Sequence, residues 1–221
     1  MLARLHAPVY ASRLALLTRA LHPPLRQADA TSLLDVGCGN GTLAHTLAQQ
    51  DDRLTVHGLE RRPRGGEPIP VTAYDGGAFP FDDDAFDAVL LADVLHHDTD
   101  PVAVLREAAR VARRRVIVKD HSPRPGALGR ALDSPRISLM DWLANAPYGV
   151  KCLYDYPEPA GWRARFDAAG LRLLHEDTDL ELYPRPHRWF FTRGLQYLAV
   201  CEPVTGPDNH PAADPVDTPD T

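Results

Sequence analysis

Lysine is almost missing from this chain: Lys119 and Lys151 are the only two among 24 Lys and Arg residues. Cysteine is nearly as scarce. Cys38, Cys152 and Cys201 are odd in number and widely spaced, which excludes a disulfide framework and a CxxC metal site and fits a reducing, cytoplasmic setting. No apolar run approaches the roughly 20 residues needed to span a bilayer, so no membrane partner is expected. A basic surplus is also missing. The formal charge is -6, and because Asp208, Asp214, Asp217 and Asp220 sit in the tail, the remainder carries only about -2. Nucleic-acid binders usually present a basic domain or stripe, so no nucleic-acid partner is expected either. The first 28 residues contain no acid but carry Arg4, Arg13, Arg19 and Arg26, the composition of a transit peptide. Leu14, Leu17, Leu21 and Leu25 form one apolar stripe, however, and favour a structural helix that caps a sheet.

What is present is a regular alternation of apolar segments in 221 residues, 44% of them hydrophobic, enough for one buried core. Its centre is Leu33-Leu34-Asp35-Val36-Gly37-Cys38-Gly39-Asn40-Gly41-Thr42-Leu43, read as strand, tight loop and helix. Three alternating glycines let the backbone turn sharply and let a ligand approach the main chain. The helix that follows, with Leu43, Ala44, Leu47 and Ala48 on one face, aims its unpaired N–H groups over the loop. A dinucleotide fingerprint needs Gly or Ala three places after its second glycine; here that place is Thr42, and Asp35 stands where such strands are apolar.

Upstream, residues from about Pro8 to Leu21 read as an amphipathic helix stopped by Pro23-Pro24. Downstream, Leu54–Glu60 is a strand whose last acid, Glu60, falls about 20 residues past the glycines, where doubly wound folds place a carboxylate for a ribose diol. Arg61–Pro68 is too short and too rich in Gly and Pro for a crossover helix, and its arginines read as solvated. A strand over Ile69–Tyr74, confined to an edge by Pro70, leads to Asp75-Gly76. Phe86–Ala92 reads as a strand buried on both faces, ending at Asp93-Val94-Leu95-His96-His97-Asp98. Asp100 and Pro101 start a helix that Arg113-Arg114-Arg115 finish, before the strand Val116-Ile117-Val118 delivers Lys119-Asp120-His121 to the same sheet edge.

Asp35-x-Gly37-x-Gly39-x-Gly41, with Phe79-Pro80-Phe81, Phe86-Asp87 and Val94-Leu95-His96-His97 at matching spacing, resembles the class I S-adenosylmethionine (SAM) dependent methyltransferases of the small-molecule type. That resemblance implies an α/β fold: a doubly wound, Rossmann-like seven-stranded sheet, mostly parallel, with an antiparallel last strand. It implies SAM as cofactor and places Asp35, Gly37, Cys38, Gly39, Gly41, Glu60, Asp75, Gly76, Ala92 and Asp93 around it. Glu60 would take the ribose and Asp75 the adenine amine. On this reading residues 1–28 are a capping helix, 29–202 the methyltransferase domain, and 203–221 a disordered tail.

Residues 122–157 interrupt the alternation with a helix around Ile137–Ala144 and are expected to form a substrate lid, with Asp141, Trp142, Asn145 and Tyr148 facing a small-molecule acceptor. A methyl acceptor that must lose a proton needs a base, for which His97 is preferred, then His121, with Asp120 beside it. No metal is expected: adjacent histidines in an extended segment point opposite ways and cannot readily share an ion. Asp93 with Asp120 is the nearest imitation of the magnesium acids of catechol-type methyltransferases. A non-catalytic SAM-binding regulator shares every cofactor motif, and a nicotinamide-dependent oxidoreductase is disfavoured by Thr42 and Asp35. The sequence leaves oligomeric state open.

Overall fold

A computed structural model describes residues 2–145, 152–183 and 195–204. Seven strands form one sheet in the order β3-β2-β1-β4-β5-β7-β6. In chain order they are β1 Ser32–Val36, β2 Thr55–Glu60, β3 Val71–Ala73, β4 Phe86–Ala92, β5 Ala112–His121, β6 Leu171–Asp177 and β7 Gln196–Pro203. The first five run parallel; β7 is antiparallel to both β5 and β6. The sheet is therefore the doubly wound, mostly parallel one that the sequence led us to expect, with the last strand inserted antiparallel. Chain order reverses between β1 and β4, and helices leave the sheet toward opposite faces on either side of that point.

Alternation along the central strands divides the core in two. Leu33, Ala88, Leu90 and Ile117 face α1 (Leu2–Gln27) and α2 (Thr42–Gln50), where Leu17, Leu21, Leu25 and Leu47 meet them. Leu34, Val89, Leu91, Val116 and Val118 face α3 (Pro101–Val111) and α5 (Pro159–Ala168), whose Val104, Leu105, Ala108, Trp162 and Phe166 complete the opposite layer. Each fully buried Leu or Val contributes about 1.5–3 kcal/mol of transfer free energy, which is why the middle stretches of β4 and β5, Ala88–Leu91 and Val116–Val118, are apolar on both faces. Trp162 is wholly buried, stacks on Tyr197 with centroids 5.5 Å apart, and donates its indole N–H to the His121 carbonyl at 3.1 Å. That bond ties α5 to the end of β5.

Three local expectations are corrected. Helix α1 does not stop at Pro23-Pro24 but runs on to Gln27, since Leu21 and Leu25 both belong to its buried stripe. Arg113-Arg114-Arg115 do not finish α3; they open β5. Their guanidiniums satisfy acceptors along that end of the sheet: Arg113 reaches Asp87 at 2.6 Å, Arg114 the Ala28 carbonyl at 2.8 Å and Arg115 Glu202 at 3.4 Å. Pro203 is not tail but the last residue of β7, paired with Leu171, and the Val204 N–H donates to the Gly170 carbonyl at 2.9 Å. The expected tail from residue 205 onward lies outside the described residues.

Other expectations stand. Asp100 caps α3 through the Ala103 N–H at 3.0 Å, with Pro101 in the first turn. No helix separates β2 from β3, and β3 is an edge strand entered just after Pro70. No described helix is long and apolar enough to cross a membrane.

Cutting the chain after Val204 should leave the melting temperature unchanged, because a Pro- and Asp-rich segment has little to bury. Cutting before Pro203 removes edge hydrogen bonds worth about 0.5–1.5 kcal/mol each and should lower it by about 2–4 °C per kcal/mol. Calorimetry on the two truncations checks the distinction; equal melting temperatures would show that the β7 end contributes nothing.

Candidate functional site

The glycine loop crosses the carboxyl end of β1 next to the strand-order reversal. Its first glycine is required by packing as well as by a φ of 66°: a Cβ on Gly37 would lie 2.6 Å from Val94 Cγ2. Gly39, at φ 58°, differs. A Cβ there would meet nothing nearer than the Arg64 guanidinium at 3.7 Å, so its open face is a cradle toward which a ligand can move. Gly41 caps α2 in a left-handed conformation with its Cα against Ile69, and Asn40 accepts the Thr42 N–H at 3.2 Å. Cys38 turns its sulfur down onto Gly58 of β2, where a Cβ would stand 2.5 Å away.

Glu60 ends β2 opposite this loop, with Oε2 accepting the Gly39 N–H at 2.9 Å and Oε1 the Arg62 N–H at 3.2 Å. The acid and the open glycine therefore share one wall. Asp35, one strand inward, is buried, and burial followed by repulsion from Glu60 pushes its carboxyl up to about 7. Asp75 is exposed and folded into a turn, accepting the Gly77 N–H at 2.9 Å. Beside it, Gly76 (φ 98°) packs against Arg61, which also pairs with Asp98 at 2.5 Å and lies over the Tyr74 ring at 5.9 Å. Arg61 is exposed, as expected of a solvated arginine, and at the same time clamps the Asp75-Gly76 turn to the segment after β4.

Ala92 ends β4, and Asp93 follows at φ 58°. Its carboxylate takes Lys119 Nζ and the Arg13 guanidinium, with His121 Nε2 at 3.6 Å. Burial opposes its charge, yet Lys119 and Arg13 prevail and hold the carboxyl well below its ordinary range. Lys119 is wholly buried on β5; burial lowers its ammonium to about 8 against the pull of Asp93. The sequence offered little to find this knot, since Arg13 read as a face of an arginine-bearing helix and Lys119 as a strand-end cation.

A second polar cluster lies beyond it. Leu95–His97 is a single 3-10 turn rather than an extended segment, which brings the His96 and His97 rings to 4.0 Å, centroid to centroid. The premise that the two imidazoles must diverge is therefore wrong. His96 is buried, donating from Nδ1 to Asp120 at 2.6 Å and from Nε2 to Asp141 at 3.2 Å. Burial would depress its imidazolium, but Asp120 and Asp141 overcome that and raise it to about 10. His97 is partly buried with Nε2 3.4 Å from Asp141, whose other oxygen accepts the buried Tyr156 hydroxyl at 2.9 Å.

His121 is buried, its Nδ1 on the Leu195 carbonyl at 3.2 Å, and burial followed by Lys119 lowers it to about 4, so it is neutral. Asp120 is fully buried; Oδ1 takes His96 and the His121 N–H, and Oδ2 has no hydrogen-bond partner.

The residues expected on the acceptor side scatter. Asp141, on α4 (Ala127–Asn145), turns inward to the histidines, whereas its neighbour Trp142 is 52% exposed. Asn145 is the last residue of α4, and Tyr148 lies outside the described residues. Sequence reasoning named His96 with His97 and His121 but passed it over, since its burial depends on the 3-10 turn, and it gave no role to Tyr156, one of three tyrosines without a distinguishing signal.

Replacing Asp35 tests the electrostatics of the loop. A carboxyl raised from 3.8 to about 7 costs the fold nothing below about pH 4, and the penalty grows until about pH 7. Asp35→Asn should therefore gain melting temperature over wild type progressively across pH 4–7 and hold that gain above it. A flat difference in a pH series of melts would show that Asp35 is not strained.

Comparison with known proteins adds to this geometry. A methyltransferase-domain family (Methyltransf_11) matches residues 34–118, from β1 through most of β5. The chain is 33% identical to 27-O-demethylrifamycin SV methyltransferase of Amycolatopsis mediterranei, the match covering 74% of this chain and 61% of that one. It is 26% identical to ubiquinone biosynthesis O-methyltransferase of Methylobacterium nodulans, covering 79% and 73%. The chain thus spans less than two thirds of the rifamycin relative's length. Among solved structures, the [4+2]-cyclase SpnF shares the fold with a TM-score of 0.58 at 16% identity over 86% of this chain and 82% of that one. Family match, relatives and strand order agree: residues 34–118 carry a methyltransferase domain similar to the class I SAM-dependent enzymes, and the cofactor it implies is SAM.

Proposed function

We propose that the chain transfers the methyl group of SAM to a small organic acceptor by in-line displacement. The observation that carries this reading is the open face of Gly39 sharing a wall with Glu60, the arrangement that suits a ribose beside a peptide backbone. Glu60 would accept the diol, giving up its contact with the Gly39 N–H or sharing it. The Asp75-Gly76 turn, clamped by Arg61, would border the adenine, and Gly37 and Cys38 would offer main-chain contacts. SAM supplies an electrophilic methyl on a sulfonium. This chain has then to orient the acceptor, exclude water and, for a hydroxyl, take a proton.

His97 is the histidine best suited to that proton. His121 is buried and Asp120 is enclosed, whereas His97 is the partly buried member of the cluster, with Asp141 to orient its ring. The small-molecule class rests on the names of the relatives, which act on a rifamycin and in ubiquinone biosynthesis, and on the lack of a basic stripe. A second reading, a SAM-binding regulator without turnover, is favoured by one observation: each of the three histidines already contacts a carboxylate.

The decisive experiment incubates the protein with methyl-labelled SAM and a panel of hydroxyl-bearing small molecules, 27-O-demethylrifamycin SV among them, and follows label into product by mass spectrometry. Label in a product supports catalysis. SAM binding by calorimetry with no product from a metabolite extract supports the regulator, and binding of NADH in place of SAM overturns both.

Two variants divide the site. Glu60→Ala should weaken SAM by about 1.5–3 kcal/mol, the range for hydrogen bonds to a charged group, and an unchanged affinity would remove Glu60 from the cofactor site. His97→Ala should keep SAM affinity within about twofold while lowering turnover by about 10² to 10⁴. Normal turnover of that variant would mean that the acceptor needs no proton removed by His97.

A further inference from the structure

We propose that His96, His97 and Asp141 form a binding site for one divalent transition metal of the zinc class. Their ligand atoms lie within 4.8 Å of one another, contributed by the 3-10 turn after β4 and by α4. The spacing suits an ion as well as it suits hydrogen bonds. Atoms bonded to a tetrahedral ion at about 2.0–2.1 Å stand about 3.3 Å apart. His96 Nε2 and His97 Nε2 are 3.2 and 3.4 Å from the same oxygen, Asp141 Oδ1. Both nitrogens are thus already near the edges of such a tetrahedron, at the long limit for charge-assisted hydrogen bonds.

The surroundings are those of a metal site too. A ligating imidazole usually donates its other N–H to a carboxylate, which fixes ring and tautomer; His96 does so to buried Asp120 at 2.6 Å. A ligating carboxylate is in turn held by a donor on its second oxygen, and Tyr156 holds Asp141 Oδ2 at 2.9 Å. Charge points the same way. Asp120 and Asp141 converge on one buried ring, Asp120 Oδ2 has no hydrogen-bond partner, and the buried Lys119 is committed to Asp93. Cys152, whose thiol hydrogen-bonds Asp141, offers a fourth, soft donor. Imidazole and thiol ligands select zinc over magnesium or calcium, which take oxygen.

An ion there would fasten α4 to the carboxyl edge of the sheet. It would also occupy the His97 lone pair, so an occupied site and proton removal by His97 exclude one another. The metal site does not rest on methyl transfer, and its test reads binding alone.

The full-length chain, freed of any affinity tag and stripped with a chelator, is titrated with cobalt(II) and then with zinc. We expect one cobalt per chain with the intense visible bands of tetrahedral coordination, displaced by one equivalent of zinc. A thiolate-to-cobalt band absent from Cys152→Ser would identify the fourth ligand. His97→Gln and Asp141→Asn should each weaken zinc by tenfold or more, while His22→Ala, which alters a surface histidine bonded to Gln50, should not. A cobalt spectrum that stays that of the aqueous ion overturns the proposal, as does equal zinc affinity in folded Asp141→Asn and wild type. If circular dichroism shows a variant unfolded, the wild-type cobalt spectrum and stoichiometry decide the matter.

Discussion

Reversal of strand order between β1 and β4 is the constraint on which everything else in this molecule depends. Two parallel neighbours whose following segments leave on opposite faces cannot be covered at their carboxyl ends by a single helix, so a crevice opens there. The glycine loop occupies one lip, the Asp93 knot the other, and Glu60 the adjoining strand end. Placing those groups needs no long-range design beyond correct strand pairing, because register alone sets Val36 beside Leu59 and Leu91, the residues just before each lip.

The crevice is unusually well charged for so apolar a sheet. Burying an ion is costly unless a partner is supplied, and the charges beyond β4 and β5 have partners close at hand: Lys119 with Asp93, and Asp120 and Asp141 with His96. The partners come from distant stretches of chain, so the polar clusters serve as cross-links between α1, the 3-10 turn, β5 and α4. Removing one member of such a pair strands the other, an effect far larger than the net worth of the pair.

The sheet was legible because β1, β4 and β5 each carry a short apolar run buried on both faces, while the glycine spacing and the acid at the end of β2 located the cofactor wall. Failures cluster where local rules met tertiary demands. A proline pair normally ends a helix, but the stripe of Leu17, Leu21 and Leu25 carried α1 past it. Three consecutive arginines suit a helix terminus, yet Asp87, Ala28 and Glu202 offered them acceptors from a strand. Choosing among His96, His97 and His121 required ring directions, and one tight turn decided them. Periodicity carries no record of such a turn. The pairings of Arg61 with Asp98 and of Arg13 with Asp93 were hidden for the related reason that the partners are remote in sequence.

The bond between Arg13 and Asp93 also bears on how the protein comes to be made. Arg13 leaves the ribosome early, whereas Asp93 and Lys119 follow some eighty and a hundred residues later, and the apolar stripe of α1 must wait for β1, β4 and β5 before it has anything to cover. Contacts of such long sequence separation form late because loop closure precedes their reward. A nascent chain halted before β5 therefore leaves the leucines of α1 without the sheet they cover until its centre is complete.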